Sequence, residues 1–194
     1  MKKIIFILLI FILNNNGAYS IEPDVFVQST VNRASQILSK NISKEQKIEE
    51  LKTIAKETVD IKGVGFYSLG SARKNLNDNQ KKQYLDLFEN YFLKSFSSRL
   101  AEYTNPEIDV KSKETLNENY TIVNSLLIAT TERPEVKIDW RIYTKNPNNP
   151  QIRDLIIEGL SLARTQKEEF ASILNSNDGD INALFKTLEE FSNN

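Results

Sequence analysis

The hydrophobic period of this chain changes twice along its length, and those changes restrict it to one class of fold. From Asp24 to Tyr103 apolar residues recur three and four positions apart, the spacing of one face of an α-helix. From Ile108 to Glu158 they alternate, as they do along a half-buried strand, and beyond Gly159 the helical spacing returns. Helices, then strands joined by short turns, then helices again predict an α+β domain. Its four-stranded, twisted antiparallel sheet is covered on one face by the helices before and after it.

Punctuation in the sequence divides the helical part further. Val27, Val31, Ala34 and Leu38 make one stripe, and Ile48, Leu51, Ala55 and Val59 a second. Ser43-Lys44-Glu45-Gln46 between them has the form of a capping box, in which serine and glutamine each satisfy a free amide. Ile61 to Leu76 predicts a shorter helix, with Gly63, Gly65 and Gly70 permitting close approach or bends. Asn77-Asp78-Asn79-Gln80 opens a long helix to about Tyr103. Its apolar face is bulky, with Tyr84, Leu87, Phe88, Tyr91, Phe92, Phe96, Leu100 and Tyr103, and Asn105-Pro106 ends it. Strands are predicted from Ile108, over Tyr120 to Thr130, over Val136 to Ile142 and over Ile152 to Glu158. Two closing helices carry Phe170, Ile173 and Leu174, then Ile181, Leu184, Phe185, Leu188 and Phe191.

The N-terminus reads as an export signal. Lys2 and Lys3 precede ten consecutive apolar residues, Ile4 to Leu13, and the segment ends in Ala18-Tyr19-Ser20. Small residues at the last and third-last positions suit a signal peptidase, so cleavage is expected after Ser20. The apolar run is shorter than the roughly 20 residues of a membrane-spanning helix. No cysteine follows it, so no thiol is offered for lipid attachment. The mature chain is expected to be one domain, residues 21–194, outside the cytoplasm.

Composition then narrows the chemistry. Taking the two leader lysines from 25 basic residues leaves 23 against 26 acidic ones, with no basic run, which speaks against nucleic acid as a partner. The chain has neither cysteine nor histidine. Thiol chemistry is therefore excluded, and so are the commonest general base and the commonest transition-metal ligand. Gly159-Leu160-Ser161-Leu162-Ala163 resembles a nucleophile elbow, but a serine nucleophile needs a base, usually histidine. Ser161 reads better as a cap on the helix after it. The acid pairs Glu49-Glu50, Glu168-Glu169 and Glu189-Glu190 point about 100° apart on a helix and fit a solvated face, not a metal site. No enzyme activity, metal or cofactor is expected. What remains is a large amount of bulky apolar surface, which forms either an interlocked core or the wall of a cavity for an apolar ligand. Periodicity is compatible with both.

Three stretches carry a family resemblance. The first runs from Leu69-Gly70 to Gln80 and on through Phe88 and Tyr91-Phe92-Leu93-Lys94-Ser95-Phe96-Ser97-Ser98-Arg99-Leu100-Ala101-Glu102-Tyr103. The second is Glu135-Val136-Lys137-Ile138-Asp139-Trp140-Arg141-Ile142, and the third Asp154 to Leu162 with Phe170 downstream. In order and spacing they resemble the MlaC (toluene-tolerance) family, over nearly all of Asp24 to Phe191. One departure is Pro150, which stands about where that family often has tryptophan. The resemblance implies a periplasmic carrier with phospholipid as cargo. Its partners would be an inner-membrane ABC transporter complex, with its membrane-anchored substrate-binding subunit, and an outer-membrane lipoprotein complex. Such a carrier would maintain outer-membrane lipid asymmetry in a Gram-negative envelope. It also implies that sheet and helices enclose an apolar cavity. Side-chain phase then nominates Phe88 and Phe92 from the long helix and Ile138, Trp140 and Ile142 from the third strand. Tyr67, Leu69, Leu126, Ile128, Ile157 and Leu160 are further candidates. The competing expectation is an exported chaperone or adaptor that grips apolar segments of other proteins.

Overall fold

A computed structural model describes residues 20–193. The expected export signal in residues 1–20 therefore lies, except for Ser20, outside the described residues.

Both sequence boxes form. Ser43 accepts from the Gln46 amide at 3.2 Å while the Gln46 side chain takes the Ser43 amide at 3.0 Å, opening helix α2 (Lys44–Thr58). Asn77 and Gln80 do the same at 2.9 and 3.0 Å for the 23-residue helix α4 (Asp78–Leu100). Helix α1 (Pro23–Ser39) begins on Pro23, whose missing N–H is no loss in a first turn. Helix α3 (Ile61–Leu69) is capped by Asp60, which accepts from the Gly63 amide. It stops seven residues short of the expected Leu76 because Gly70 takes φ 59°, ψ −133°, which ends the helix and leads into a 3₁₀ turn over Gly70–Lys74.

The sheet is an antiparallel meander in the order β1 (Ile108–Asn117), β2 (Tyr120–Leu127), β3 (Val136–Tyr143), β4 (Gln151–Ile157), β5 (Leu160–Ser161). It has five strands where four were expected. The fifth is two residues that fold back on Ile156 and Ile157 through Glu158 and Gly159, at φ 49° and 82°. Helices α5 (Leu162–Asn175) and α6 (Ile181–Asn193) close the chain. On β2 the buried residues are Thr121, Val123, Ser125 and Leu127, and on β3 they are Ile138, Trp140 and Ile142. These inward faces meet Val27 and Val31 of α1, Tyr84 and Phe88 of α4, Phe170 of α5 and Leu184, Phe185 and Leu188 of α6 in one core. A second, smaller cluster joins Ile37 and Leu38 of α1 to Leu51 and Ile54 of α2.

Two large polar side chains inside the core, Trp140 and Tyr84, are paired. The Trp140 indole N–H donates to Ser125 Oγ at 2.8 Å, and Ser125 donates on to the Ile138 carbonyl at 3.0 Å. Tyr84, fully buried, donates to the Gly65 carbonyl at 2.8 Å, and its burial pushes the phenol well above its ordinary value. At the surface, Lys113 of β1 bridges to Asp24 and Glu22 at the start of α1.

Two outcomes follow. Ser125→Ala leaves the Trp140 N–H buried without a partner, so stability should fall by about 1–3 kcal/mol. Urea unfolding followed through Trp140, the single tryptophan, measures it. The hydrogen bond from Lys113 holds the Asp24 carboxyl below its ordinary value of 3.8. A depressed carboxyl stabilises above its unfolded value, and the contribution is lost as pH falls through the folded one. Relative to Lys113→Met, the wild type should therefore melt higher near neutral pH, with the gap closing below the ordinary Asp24 value.

Candidate functional site

A cleft opens between α4 on one side and β4 with the first half of α5 on the other. Its α4 wall follows from helical geometry: Phe88, Tyr91, Phe92, Ser95, Phe96 and Arg99 are three or four positions apart and form a single stripe. The rings run as a ladder, with Phe88 to Phe92 at 6.0 Å and Phe92 to Phe96 at 5.5 Å and nearly parallel. Phe88 is buried at the inner end, while Phe92 and Phe96 are half-buried toward the mouth. Val59 and Val64 close the inner end.

The opposite wall depends on an irregularity in the sheet. Ile142 pairs with Ile152 but Arg141 pairs with Asp154, so Arg153 is an extra residue in β4. The bulge brings Ile152 and Leu155, three apart, to the same face, where both line the cleft. It also turns Arg153 and Asp154 toward the other side. Arg153 donates to Asp60 at 2.7 Å and to the Tyr120 hydroxyl at 2.8 Å, with its guanidinium 3.9 Å from the Tyr143 ring centre. Asp154, 5% exposed, accepts from the Ser161 hydroxyl at 2.6 Å and the Ala163 amide at 3.0 Å, and faces Arg141 at 3.7 Å. Ser161 in turn accepts from the Arg164 amide at 3.1 Å. Ser161 is thus the cap of α5, its hydroxyl held by a carboxylate that itself binds a free amide of the helix start.

The cleft encloses about 200 Å³, and its wall is predominantly apolar. Tyr91 crosses it, donating to Gln166 Oε1 of α5 at 2.9 Å. Burial pushes the Tyr91 phenol above its ordinary value, partly offset by that hydrogen bond. Among the described residues no group of three or more Asp, Glu, Cys or His is placed to hold a metal ion, and no helix is long and apolar enough to cross a membrane.

Of the residues nominated from sequence, Phe88 and Phe92 line this cleft. Ile138, Trp140 and Ile142 lie on the same sheet face as Ile152 and Leu155, but one strand further in, within the packed core. Leu69 is also core, at 3% exposure. Leu126 lies on the opposite face of β2 from the buried Val123, Ser125 and Leu127, a phase one residue removed from the expected one. Ile128 follows the end of β2 and is half-buried. Ile157 is half-buried opposite Leu160, which is exposed, and Tyr67 is exposed with the Lys167 ammonium 5.4 Å from its ring centre. Tyr91, Phe96, Arg99, Leu155 and Leu162 line the cleft without having been nominated. The stripe spacing on α4 was a signal for Tyr91 and Phe96. For Leu155 there was none, because the bulge is invisible to alternation and Leu155-Ile156-Ile157 is apolar on both faces.

Comparison with known proteins bears on family and fold. Residues 28–190 match the family described as MlaC protein. The intermembrane phospholipid transport system binding protein MlaC of Haemophilus influenzae is 22% identical over 178 residues, covering 88% of this chain and 83% of that protein. In fold the chain resembles the phospholipid-binding protein from Ralstonia solanacearum, solved in complex with a phospholipid. That match has a TM-score of 0.75 at 20% identity and covers 89% of this chain and 97% of the other. For Ser161 the expectation is plain: Ser161→Ala should cost about 1 kcal/mol of thermal or urea stability, as loss of a helix cap does.

Proposed function

The chain belongs to the MlaC family, and from that premise we propose that it is a periplasmic phospholipid carrier whose cargo lies with its acyl chains in the cleft between α4, β4 and α5. The carrying observation is the aromatic ladder of Phe88, Phe92 and Phe96 facing Ile152 and Leu155 across an open, largely apolar cleft. On this reading residues 1–20 are a cleaved export signal and residues 21–194 a single lipid-binding domain. The protein collects and delivers lipid between an inner-membrane ABC transporter complex and an outer-membrane lipoprotein complex, and so maintains outer-membrane lipid asymmetry. Phospholipid is cargo, and the work requires no catalytic group.

The energetics favour a carrier of this kind. Each methylene kept from water is worth about 0.8 kcal/mol, so an acyl chain of about 16 carbons costs on the order of 12 kcal/mol to expose. Unassisted passage through an aqueous compartment is correspondingly slow. A wall of half-buried rings replaces water along the chain. At about 200 Å³ the cleft is smaller than the ~300–1,000 Å³ of pockets that take drug-sized ligands. Entry of a whole chain therefore requires α4 and α5 to part, breaking the Tyr91–Gln166 hydrogen bond that ties them. Of the nominated residues, Phe88 and Phe92 are proposed to touch the chain directly. Ile138, Trp140 and Ile142 would come into reach as the cleft widens inward, with Leu69 and Ile157 behind them. Tyr67, Leu126, Ile128 and Leu160 are proposed only as contacts near its periphery.

Organic extraction of the protein purified from a periplasm, with mass spectrometry of the extract, tests the reading. Roughly one phospholipid per protein is expected, and Phe92→Glu should reduce occupancy about tenfold or more by placing a carboxylate against the chain. A protein that is empty and takes nothing from vesicles, yet binds unfolded polypeptide, would instead be the chaperone or adaptor.

A further inference from the structure

Four charged residues border the cleft, Arg99, Arg153, Asp154 and Glu169, but the side chains of Arg153 and Asp154 are turned to the other face of the sheet. Two are satisfied within the fold. Arg153 is bound by Asp60 and Tyr120, and Asp154 by Ser161, Ala163 and the facing Arg141. The other two stand at the mouth and are exposed. Glu169 of α5 takes a hydrogen bond from Gln166 Nε2 of its own helix at 3.0 Å and pairs with no cation among the described residues. Arg99, in the last turn of α4, pairs with no carboxylate among the described residues. The helix dipole favours a cation at that end, but it does not occupy the guanidinium's donors. Both charges act on the Tyr91 hydroxyl between the two helices, so they flank one opening and not separate surfaces. Ser95 and Thr165 add hydroxyl groups to the same rim.

We propose that this mouth recognises a zwitterionic lipid headgroup, with the phosphodiester against Arg99 on α4 and the ammonium against Glu169 on α5. The proposal rests on the carrier reading and adds the class of headgroup to it. A guanidinium matches the paired oxygens of a phosphodiester, whereas a carboxylate welcomes an ammonium and repels a headgroup that carries phosphate alone. Because both side chains are in contact with water, the selection is several-fold and not absolute.

The test offers the full mature chain vesicles with equal amounts of phosphatidylethanolamine and phosphatidylglycerol bearing the same acyl chains. Bound lipids are counted by native mass spectrometry. The wild type should take phosphatidylethanolamine in about three- to fivefold excess at low salt. In Glu169→Gln that ratio should fall toward one, and in Glu169→Lys it should invert. Arg99→Gln should take up both lipids several-fold less well while keeping the preference. Unchanged melting of the variants, both at exposed positions, shows that the fold is retained. Equal uptake of the two lipids by the wild type, or an unaltered ratio in Glu169→Gln, overturns headgroup selection while the carrier reading stands. No uptake of either lipid overturns both.

Discussion

The α4 wall of the cleft depends on how closely α3 can approach the Phe88 ring. A Cβ built on Gly65 would stand 2.8 Å from that ring, closer than side-chain carbons come, so only glycine lets the two helices meet at this distance. The same approach brings the Gly65 carbonyl to the Tyr84 hydroxyl. Phe88 thereby becomes a hub, touching Tyr84, Tyr91 and Phe92 on its own helix and meeting Phe170 of α5 edge-on at 6.1 Å. With its first half pinned in the core, α4 carries Phe92 and Phe96 outward along the same stripe. The ladder beyond the hub has no residue of comparable size opposite it. The cleft is the part of an aromatic stripe that extends past its packing partners.

The polar side of the cleft obeys the same logic of constraint. A bulge at Arg153 is required to turn Ile152 and Leu155 to one face, and it exposes two charges to burial in the process. The fold accommodates them with neighbours already in place: Asp60, which caps α3, and the free amides at the start of α5. Asp154 therefore has one structural duty, holding the β4–β5–α5 corner, and Ser161 shares it. The elbow-like sequence around Ser161 is a consequence of a two-residue strand turning directly into a helix.

What the sequence disclosed and what it concealed divide along the range of the interaction. Features written in a few consecutive residues were legible: the boxes at Ser43 and Asn77, the stripe on α4, the alternation of Ile138, Trp140 and Ile142. Features requiring a partner strand were not. Nothing in Gln151 to Ile157 announces that Arg153 is inserted, and the phase of β2 is ambiguous because Ile122, Leu126 and Ile128 are as apolar as Val123 and Leu127. The third strand reads as the best cavity wall by pattern. In the folded chain its central place in the sheet puts it under the helices, and the edge-proximal β4 faces the cleft instead.

That placement bears on what a carrier can do. A cavity centred on β3 would lie beneath α1, α4 and α6 together, and opening it would break the main core. A cleft beside β4 is bounded by one side of α4 and by α5, which meet at the inner end through Phe88 and Phe170 and across the mouth through Tyr91 and Gln166. Parting the mouth breaks the Tyr91–Gln166 hydrogen bond, while Val27, Trp140 and Leu184, which do not line the cleft, need not move. Phe92 and Phe96 line the cleft without being fully buried, whereas Phe88, Val59, Val64 and Ile152 belong to both the cleft wall and the core. A carrier of the proposed kind would open at the half-buried rings and keep the shared residues at the inner end in place, because otherwise each delivery would begin with unfolding.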